Sequence, residues 1–457
     1  MEGESIKVEK QMKYLGVILD HRLTWLPHVK AMRNVTTNLF NALARVAKAH
    51  WGLSTNALAT IYEGAFIPKI TYAAGVWYAA AQKVVIKKQV RSAQRMALLR
   101  LTRSFRTVST DALLVIAGTP PIDLVLKEKA NCYRWRRGLP LILDDQMESM
   151  EYETKPKATM LPKLYHRMAI MTAAEGESSE INIYTDGSKV EDRVGASFLV
   201  EKEDKIIHYE QFRLDNRCSV YQAELLALLQ AVKWCASSQN LSSIIINTDS
   251  RAALQTLQQF TDTNQMALEM KTLIRVNHLQ IKFRWVKAHS GIRGNERADE
   301  LAKEATQLEE ITYSKIPISY VKRRLRQSTV EIWQEEWSNG RNGRHTFWLL
   351  PSVEERTREL RWLTPNFYLT QLLTNHCNTK DYLKRINKVQ DTLCVCGNGM
   401  HSLEHLLEEC SKYEQERLQF QLQAKDVIHT SEIDLYMCLR HRDLVRELQN
   451  FTRRILS

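Results

Sequence analysis

The sequence predicts an α/β domain in the middle of the chain, between a mainly helical amino-terminal module and a mainly helical carboxy-terminal region. Residues 178–307 alternate between strand-like and helix-like apolar patterns, whereas residues 28–105 and 308–457 carry helical spacing for most of their length. A length of 457 residues with 44% apolar content leaves room for about three domains. The chain is therefore expected to bury several separate cores.

The amino-terminal module, residues 1–110, carries the excess charge of the chain. It holds 17 Lys and Arg against 5 Asp and Glu, which matches the formal net charge of +12 for the whole sequence. A strand with a glycine bend is expected at residues 12–20, followed by helices. The charge favours a nucleic acid partner bound through its phosphates, and basic residues that only solvate helix faces are the alternative. The candidate phosphate contacts are Lys87, Lys88, Arg91, Arg95, Arg100, Arg103 and Arg106.

Residues 111–177 are predicted to be a connector. Thr119-Pro120-Pro121 and the charge run at 151–157 break its apolar patches into short pieces.

The central domain, residues 178–307, is predicted to contain five strands with helices between them. The helix at 221–234 has an apolar stripe, and a last helix is expected at 295–305. The expected strands cover residues 181–185, 196–200, 205–212, 244–248 and 281–286.

Four acidic residues of this domain are candidates for a magnesium site. Asp186 and Asp249 each end an apolar strand, where a buried carboxylate is costly unless a metal or hydrogen bonds compensate it. Glu224 and Asp299 lie in helices expected to pack on the same sheet. Carboxylates that converge can hold two Mg²⁺ ions about 4 Å apart, which is an arrangement for phosphodiester cleavage. Taken singly, each acid could instead be a solvated surface residue.

The local motifs around these acids resemble one family in order and content. They are Thr-Asp-Gly-Ser at 185–188, Gln-Ala-Glu-Leu at 222–225, Thr-Asp-Ser at 248–250 and the run from His289 to Asp299. Together they resemble the ribonuclease H domain of retroelement polyproteins. The resemblance implies a ribonuclease H-like mixed sheet with flanking helices. It also implies two magnesium ions, with manganese as a substitute, held by Asp186, Glu224, Asp249 and Asp299.

The same resemblance implies an activity and a role for one histidine. The expected reaction is hydrolysis of the RNA strand of an RNA–DNA hybrid, with His289 on a mobile loop assisting proton transfer or product release. An ordinary surface histidine is the alternative. Lys287-Ala288 stand where the family commonly has Pro-Gly, which bears on the stiffness of that loop.

Polar residues beside the acids are candidates for substrate contacts. Recognition of RNA requires contact with a 2′-hydroxyl. Ser188, Gln222 and Ser250 are expected to make such contacts, and Asn295 is a further candidate for which helix capping is the alternative.

The amino-terminal flank resembles a different part of the same elements. Residues 13–80, with Lys-Tyr-Leu-Gly-Val-Ile-Leu-Asp at 13–20 and Tyr-Ala-Ala-Gly-Val-Trp at 72–77, resemble the region after the palm in non-LTR retrotransposon reverse transcriptases. The resemblance implies a thumb-like remnant over residues 1–110. The sequence has no Tyr-x-Asp-Asp, and its adjacent aspartates Asp144-Asp145 lack the tyrosine and are interpreted as a solvated pair. No polymerase site is therefore expected in this chain.

Near the other end, three cysteines and a histidine are candidates for a zinc site. Cys394, Cys396, His405 and Cys410 give a Cys-x-Cys-x8-His-x4-Cys pattern, whose sulfur and imidazole donors suit tetrahedral Zn²⁺. His401 is a rival ligand, and free thiols are the alternative. Residues 369–410 resemble the carboxy-terminal region of the same retrotransposons, which favours His405 and implies a CCHC-like motif.

Several sequence features indicate where the protein works. Eight scattered cysteines do not make a disulfide scaffold, and the first residues lack the plan of a secretory signal. The uncharged run at 70–82 is too short to span a bilayer. An intracellular protein, cytoplasmic or nuclear, is expected, without a membrane partner and with no prediction for protein partners. The competing functions are a retroelement remnant that binds nucleic acid without cutting it, and an integrase or exonuclease of related fold.

Overall fold

The computed structural model describes residues 9–46, 52–142, 150–154, 171–174, 176–238, 243–259, 264–429 and 434–456. The chain divides into two compact units, one made of Met1–Tyr133 with Leu325–Ser457 and the other of Arg134–Arg324. In the described ranges, no helix is both long and apolar enough to cross a membrane. Asp144-Asp145 and the end of the charge run at 151–157 lie outside the described residues. The predicted division of the chain at residues 110, 177 and 307 stays a prediction.

The amino-terminal segment begins with a hairpin and continues as helices. Strands β1 (Gln11–Tyr14) and β2 (Val17–Asp20) pair antiparallel around Gly16, so the predicted single strand with a glycine bend is a two-stranded hairpin. A π-helical turn, Tyr62–Phe66, separates the helix that ends at Ile61 from the helix that begins at Ile67. Two buried helices, α6 and α7, occupy the start of the predicted connector. The helices are α1 (Leu26–Val46), α2 (Thr55–Ile61), α3 (Ile67–Ile70), α4 (Ala74–Ala81), α5 (Val84–Leu101), α6 (Thr110–Ala117) and α7 (Ile122–Arg136).

The middle unit contains a six-stranded mixed sheet, which confirms the predicted fold class. Its strand order is β3-β8-β7-β4-β5-β6, with β4, β5 and β6 antiparallel and the other neighbours parallel. The five predicted strands are present, and β3 is an additional edge strand of two residues inside the predicted connector. The strands are β3 (Met171–Thr172), β4 (Ile181–Val190), β5 (Arg193–Lys202), β6 (Lys205–Leu214), β7 (Ile244–Thr248) and β8 (Ile281–Trp285).

Helices cover both faces of this sheet. Because side chains alternate along a strand, successive residues of β5 face opposite sides of the sheet. Phe198 packs into the core under α8 (Val220–Ser237), and its neighbour Leu199 packs against α11 (Arg293–Ala305). The helix α10 lies against α8 on the first face. The helices of this unit are α8 (Val220–Ser237), α9 (Arg251–Gln258), α10 (Gln265–Val276) and α11 (Arg293–Ala305). Both predicted helices are present, each with two or more extra residues at its start or end.

The carboxy-terminal region is helical, as predicted. Its elements are α12 (Ile318–Asn339), α13 (Arg344–Leu349), α14 (Val353–Arg358), α15 (Phe367–Thr374), α16 (Lys380–Arg385), α17 (Leu403–Glu408), a 3₁₀ turn (Ser411–Tyr413), α18 (Glu414–Ile428), α19 (Leu435–Cys438) and α20 (Arg442–Leu456).

Direct side-chain bonds join the two terminal segments into one unit. Arg91 of α5 donates to Asp123 of α7 and, at 2.8 Å, to Glu336 of α12. Thr370 donates to the carbonyl of Thr102 at 2.6 Å. Arg91 and Glu336 are 245 positions apart and Thr102 and Thr370 are 268 apart, so these two contacts form only when both segments are packed together.

Candidate active site and metal centres

The sheet places two of the predicted acids side by side. In the parallel ladder between β4 and β7, Thr185 pairs with Thr248. Asp186 and Asp249 are each the next residue, so they lie side by side where β7 ends. The prediction that Asp186 ends its strand is wrong, because β4 continues to Val190 through its pairing with β5. Residues 63 positions apart thus meet because their strands run in register.

The helix α8 brings in the third acid, Glu224. Its first turn is held by a capping box in which the Ser219 side chain and the Gln222 side chain bond each other's backbone N–H. At Gly187 the strand and the helix touch, because a Cβ there would lie 2.5 Å from the backbone nitrogen of Glu224. Burial raises the pKa of the Glu224 carboxyl, and the backbone of Gly187 lowers it by a smaller amount. A glycine at 187 is therefore what lets Glu224 reach the aspartates.

The three carboxylates form a tight, largely buried cluster. Ligand oxygens of Asp186, Glu224 and Asp249 lie within 4.8 Å of one another. Asp186 and Glu224 are only 6% and 7% exposed. Among the described residues, Glu224 Oε2 is buried without a hydrogen-bond partner. Buried carboxylates at this spacing either take up protons or hold a cation between them.

The electrostatics of the cluster point the same way. Burial, together with the charges of Asp249 and Asp299, raises the pKa of Asp186 to about 7. Burial and the charges of Asp186 and Asp249 raise the pKa of Glu224 well above its ordinary value. Hard oxygen donors, one of them unpartnered, fit a divalent cation such as Mg²⁺.

Asp299, the fourth predicted ligand, lies at the rim of this cluster. Its carboxylate accepts a hydrogen bond from Lys303 Nζ at 2.7 Å, one turn along α11. It is near enough to Asp186 to raise the pKa of that group, whereas Lys303 lowers it. The structure thus brings three of the four acids into direct proximity and pairs the fourth with a lysine that the sequence did not indicate.

His289 lies on the exposed loop between β8 and α11. Its backbone is left-handed, with φ of 49°, and Gly291 follows with φ of 80°. Ser290 Oγ donates to the Lys287 carbonyl at 2.6 Å, and the N–H of Gly291 donates to Glu296 Oε1 at 3.1 Å. These bonds shape the loop in the place where the family commonly has Pro-Gly.

The four predicted substrate contacts lie in different surroundings. Ser188 is half-buried on β4, and Ser250 caps α9 through the N–H of Ala253. Gln222 is engaged within the fold, since its amide accepts from Ser219 and donates to the Lys315 carbonyl at 3.0 Å. Asn295 is buried in the first turn of α11, where its Oδ1 is unpartnered among the described residues. The substrate roles of these residues stay predictions.

Sequence reasoning missed a tryptophan and an arginine beside Asp249. Trp285 pairs with Thr248 in the ladder between β7 and β8, and its indole N–H donates to the Asp249 carbonyl at 3.0 Å. The Arg251 guanidinium lies 3.9 Å from the centroid of the same ring. Trp285 ends a strand that neighbours β7 and is 39% exposed, so an exposed aromatic at the strand end was the available signal.

A second cluster in the other unit joins the predicted zinc ligands. One ligand atom each from Cys394, Cys396, His405 and Cys410 lies within 4.8 Å of the others. The Sγ atoms of Cys394 and Cys410 are 3.8 Å apart, which is the edge of a tetrahedron with metal–sulfur bonds of about 2.3 Å. Cys396 Sγ is 3.2 Å from His405 Nε2. These donors and distances fit Zn²⁺.

Local backbone bonds build this second cluster. The N–H of Cys394 donates to the Gly399 carbonyl, and the N–H of Cys410 donates to the His405 carbonyl, both at 2.8 Å. A hydrogen bond from the backbone of Asn398 lowers the pKa of the Cys396 thiol to about 7. His401, the rival ligand, is outside the cluster, and its Nδ1 accepts from the Lys380 N–H at 3.1 Å.

Comparison with known proteins places the middle unit in a family. The sequence model of the ribonuclease H family matches residues 178–307. The chain is 38% identical over 143 residues to a putative 115 kDa protein in type-1 retrotransposable element R1DM of Drosophila melanogaster, which covers 31% of this chain and 14% of that protein. It is 36% identical over 136 residues to the Pol polyprotein of type-1 retrotransposable element R1 4 of Nasonia vitripennis, covering 30% and 34%.

Among solved structures, LC11-RNase H1 in complex with an RNA/DNA hybrid is similar over 28% of this chain and 96% of its own, at 18% identity and a TM-score of 0.24. The two retrotransposon relatives are much longer than the matched segment, since the chain spans only 14% and 34% of their lengths.

Proposed function

Residues 178–307 form a ribonuclease H domain of the kind found in type-1 retrotransposable elements, and we propose that it hydrolyses the RNA strand of RNA–DNA hybrids. One observation carries the proposal. Within this domain, β4, α8 and β7 bring three carboxylates within 4.8 Å in a largely buried position. Without a cation, burial and mutual repulsion raise the pKa values of Asp186 and Glu224, and a bound divalent cation would relieve that repulsion.

Asp186, Glu224 and Asp249 would hold the divalent cations, with Asp299 as the fourth carboxylate at the rim. Two bound ions would polarise the attacking water and stabilise the leaving oxygen of the phosphodiester. The burial of Asp186 and Glu224 keeps bulk water from screening their charges, which strengthens their hold on a cation. Lys303 compensates part of the negative charge through its bond to Asp299.

The groups around the cluster are arranged to meet a nucleic acid. His289 on its exposed loop would exchange a proton with the reacting oxygens or assist product release. Ser188 and Ser250 would supply hydroxyl groups for 2′-hydroxyl contacts, whereas Gln222 is bonded within the fold and Asn295 is buried. Trp285 with Arg251 adds an exposed platform beside Asp249 that suits a sugar–phosphate backbone.

The second cluster supports a separate role. We infer that Cys394, Cys396, His405 and Cys410 hold a structural Zn²⁺ that fixes the loop and short helix from 394 to 410. All four positions are filled by protein donors, which is the pattern of a structural site rather than a catalytic one. His405 Nδ1 lies 3.4 Å from Glu409 Oε2, so the carboxylate can orient the ring toward the thiols.

Cleavage of a labelled hybrid tests the catalytic proposal. The full chain with Mg²⁺ should cut the RNA strand, and EDTA should abolish the reaction. Asp249→Asn should lower the rate more than about 100-fold, because the loss of a ligand exceeds the 10- to 100-fold effect typical of outer-shell changes. Asp204→Asn, the same chemical change at an exposed turn of this domain, should leave the rate unchanged.

Other outcomes would select the competing functions. A native chain that binds the hybrid without cutting it would identify a non-catalytic nucleic-acid-binding remnant. Equal cleavage of DNA duplex and hybrid would indicate an integrase-like or exonuclease-like enzyme instead.

A further inference from the structure

We propose that the unit formed by both chain ends binds single-stranded nucleic acid in a groove lined by Arg103, Arg442, Arg446 and Trp362. This arginine groove has a volume of about 390 Å³, and residues 54–56 and 364–366 complete its walls. The volume falls within the range of about 300 to 1,000 Å³ that is usual for ligand sites. The groove lies in the unit that does not contain the carboxylate cluster.

The charge of the groove is uniformly positive. Three guanidinium groups line it, and no carboxylate does so among the described residues. Arg442 and Arg446 are exposed and one turn apart on α20, so they project from the same side of the helix. Within the described part of the chain, neither arginine has an ion-pair or hydrogen-bond partner. Arg442 and Arg446 thus present two exposed, unpaired positive charges on one wall, an arrangement that suits an anionic ligand.

The groove is held in shape before any ligand arrives. Arg103 Nη2 donates to the Leu53 carbonyl at 2.7 Å, and Thr55 Oγ1 donates to the Pro365 carbonyl at 2.9 Å. These two bonds connect three of the four chain segments that form the walls. A preformed groove loses little entropy when it binds.

Arg103 also occupies an unusual backbone position. It follows α5 and its cap Thr102 with φ of 52°, a left-handed conformation that glycine adopts more readily than any other residue. A glycine would end the helix more easily but would leave the groove without this cation. Arg103 therefore adds positive charge to the groove while its bond to the Leu53 carbonyl shapes the wall.

Trp362 decides between a single strand and a duplex. Its half-buried ring lines the groove beside the arginines, and aromatic rings stack on nucleic acid bases. Arginine binds the phosphates, but bases in a duplex already stack on each other and offer no free face. Cations with one available ring therefore favour an unpaired strand.

The groove adds to the basic series predicted from the sequence, of which two members are paired within the unit. Lys87 and Arg91, two members of the basic series on α5, form ion pairs with Asp123 and Glu336. Their charges are compensated inside the unit and are not available to phosphates. Of that series, Arg103 is the member that lines the groove.

Fluorescence anisotropy with a labelled 20-nucleotide single strand, at several salt concentrations, tests the proposal on the full chain. Arg442→Gln with Arg446→Gln should weaken binding about tenfold or more and lower the salt slope by about 1.4, which is the loss of two phosphate contacts on a single strand. The matched control is Arg453→Gln with Arg454→Gln, which removes the same charge from the same helix in a cavity also lined by Glu416 and Glu447. The control should change affinity less than twofold.

Trp362→Leu should weaken binding about fivefold or more with the salt slope unchanged, because stacking is not ionic. Trp362→Phe should restore most of the affinity, which separates loss of stacking from loss of folding. Equal losses in the Arg442/Arg446 and Arg453/Arg454 pairs, or tighter binding of a duplex of the same sequence, would overturn the proposal. Cleavage of a labelled hybrid is a separate readout, so a chain that binds the strand without cutting the hybrid bears only on the catalytic proposal.

Discussion

The carboxylate cluster and the thiol–imidazole cluster are both candidate metal centres, but the chain assembles them in opposite ways. The first draws Asp186, Glu224 and Asp249 from two strands and a helix spread over 64 residues. The second takes all four donors from residues 394–410, a loop and one short helix. One site depends on sheet topology, and the other depends on local spacing.

This difference determines what each metal does for the fold. The carboxylates are positioned by a sheet with its own apolar core, so the structure holds them together even though they repel. Within residues 394–410, the buried apolar side chains other than cysteines are those of Leu403 and Leu406, and a bound metal can add stability there. Removal of the metal should therefore stop the first site from working and cause the second to unfold.

The largest effect is expected when the thiol–imidazole cluster loses a ligand or its metal. Cys394→Ser, or a zinc chelator, should raise hydrogen exchange at residues 393–410 more than about 100-fold, because structural zinc contributes roughly 10 kcal/mol or more to small metal-bound folds. The exchange of β4 and β7 amides should stay unchanged. Cys132→Ser, at a half-buried cysteine outside the cluster, is the control. Unchanged exchange in the Cys394 variant would show that the thiols hold no metal.

A smaller effect concerns the repulsion stored in the first cluster. The pKa of Asp186 is raised to about 7, so the folded state disfavours the ionised carboxylate. The cost to stability is absent below pH 4, grows as the pH rises from about 4 to 7, and is complete above that. One pKa unit corresponds to about 1.4 kcal/mol, so Asp186→Asn should stabilise the metal-free unit at pH 8 by about 1 to 3 kcal/mol.

Hydrogen exchange of the β4 amides in EDTA measures this gain. The stability gain from Asp186→Asn should be smaller at pH 4.5 than at pH 8. Asp204→Asn at the exposed turn should change the stability at neither pH. Equal stability of the Asp186 variant and the native chain at pH 8 would contradict the proposed repulsion.

The smallest expected effect sharpens the geometry of Asp249. Trp285→Phe removes the indole N–H that bonds the Asp249 carbonyl, a hydrogen bond worth about 1 kcal/mol. Hybrid cleavage should fall about fivefold through kcat, with less change in KM. Trp234→Phe, at a tryptophan stacked on His208 in the same domain, should have no such effect. A change confined to KM would assign Trp285 to substrate binding alone.

Much of the ribonuclease H domain could be predicted because its signals are local. The apolar run Ile244–Ile246 is bounded by polar residues, and the observed strand β7 (Ile244–Thr248) has the predicted limits. Each acid is marked by its own motif. Lys303 could not be predicted, since an exposed lysine one turn from Asp299 looks the same whether or not it forms a pair. The edge strand β3 is two residues long, too short for any alternation to show.

The basic amino-terminal module shows why counting charges is not enough. Lys87 and Arg91 stand out in the sequence, yet Asp123 and Glu336 neutralise them. Arg442 and Arg446 do not stand out, because they belong to a helix of mixed charge. Which cations are available depends on packing between residues hundreds of positions apart, and no local pattern records it.

Because one unit is assembled from two distant segments of the chain, its contacting residues leave the ribosome at different times. Glu336 emerges 245 residues after Arg91, and Pro365 emerges 310 residues after Thr55. The ribonuclease H domain is complete before these late partners appear, so it can fold first. Until then, the amino-terminal helices lack the residues that they pack against in the finished unit. Closing so long a loop is slow, so packing between these two segments is expected to be a late step in the folding of the unit.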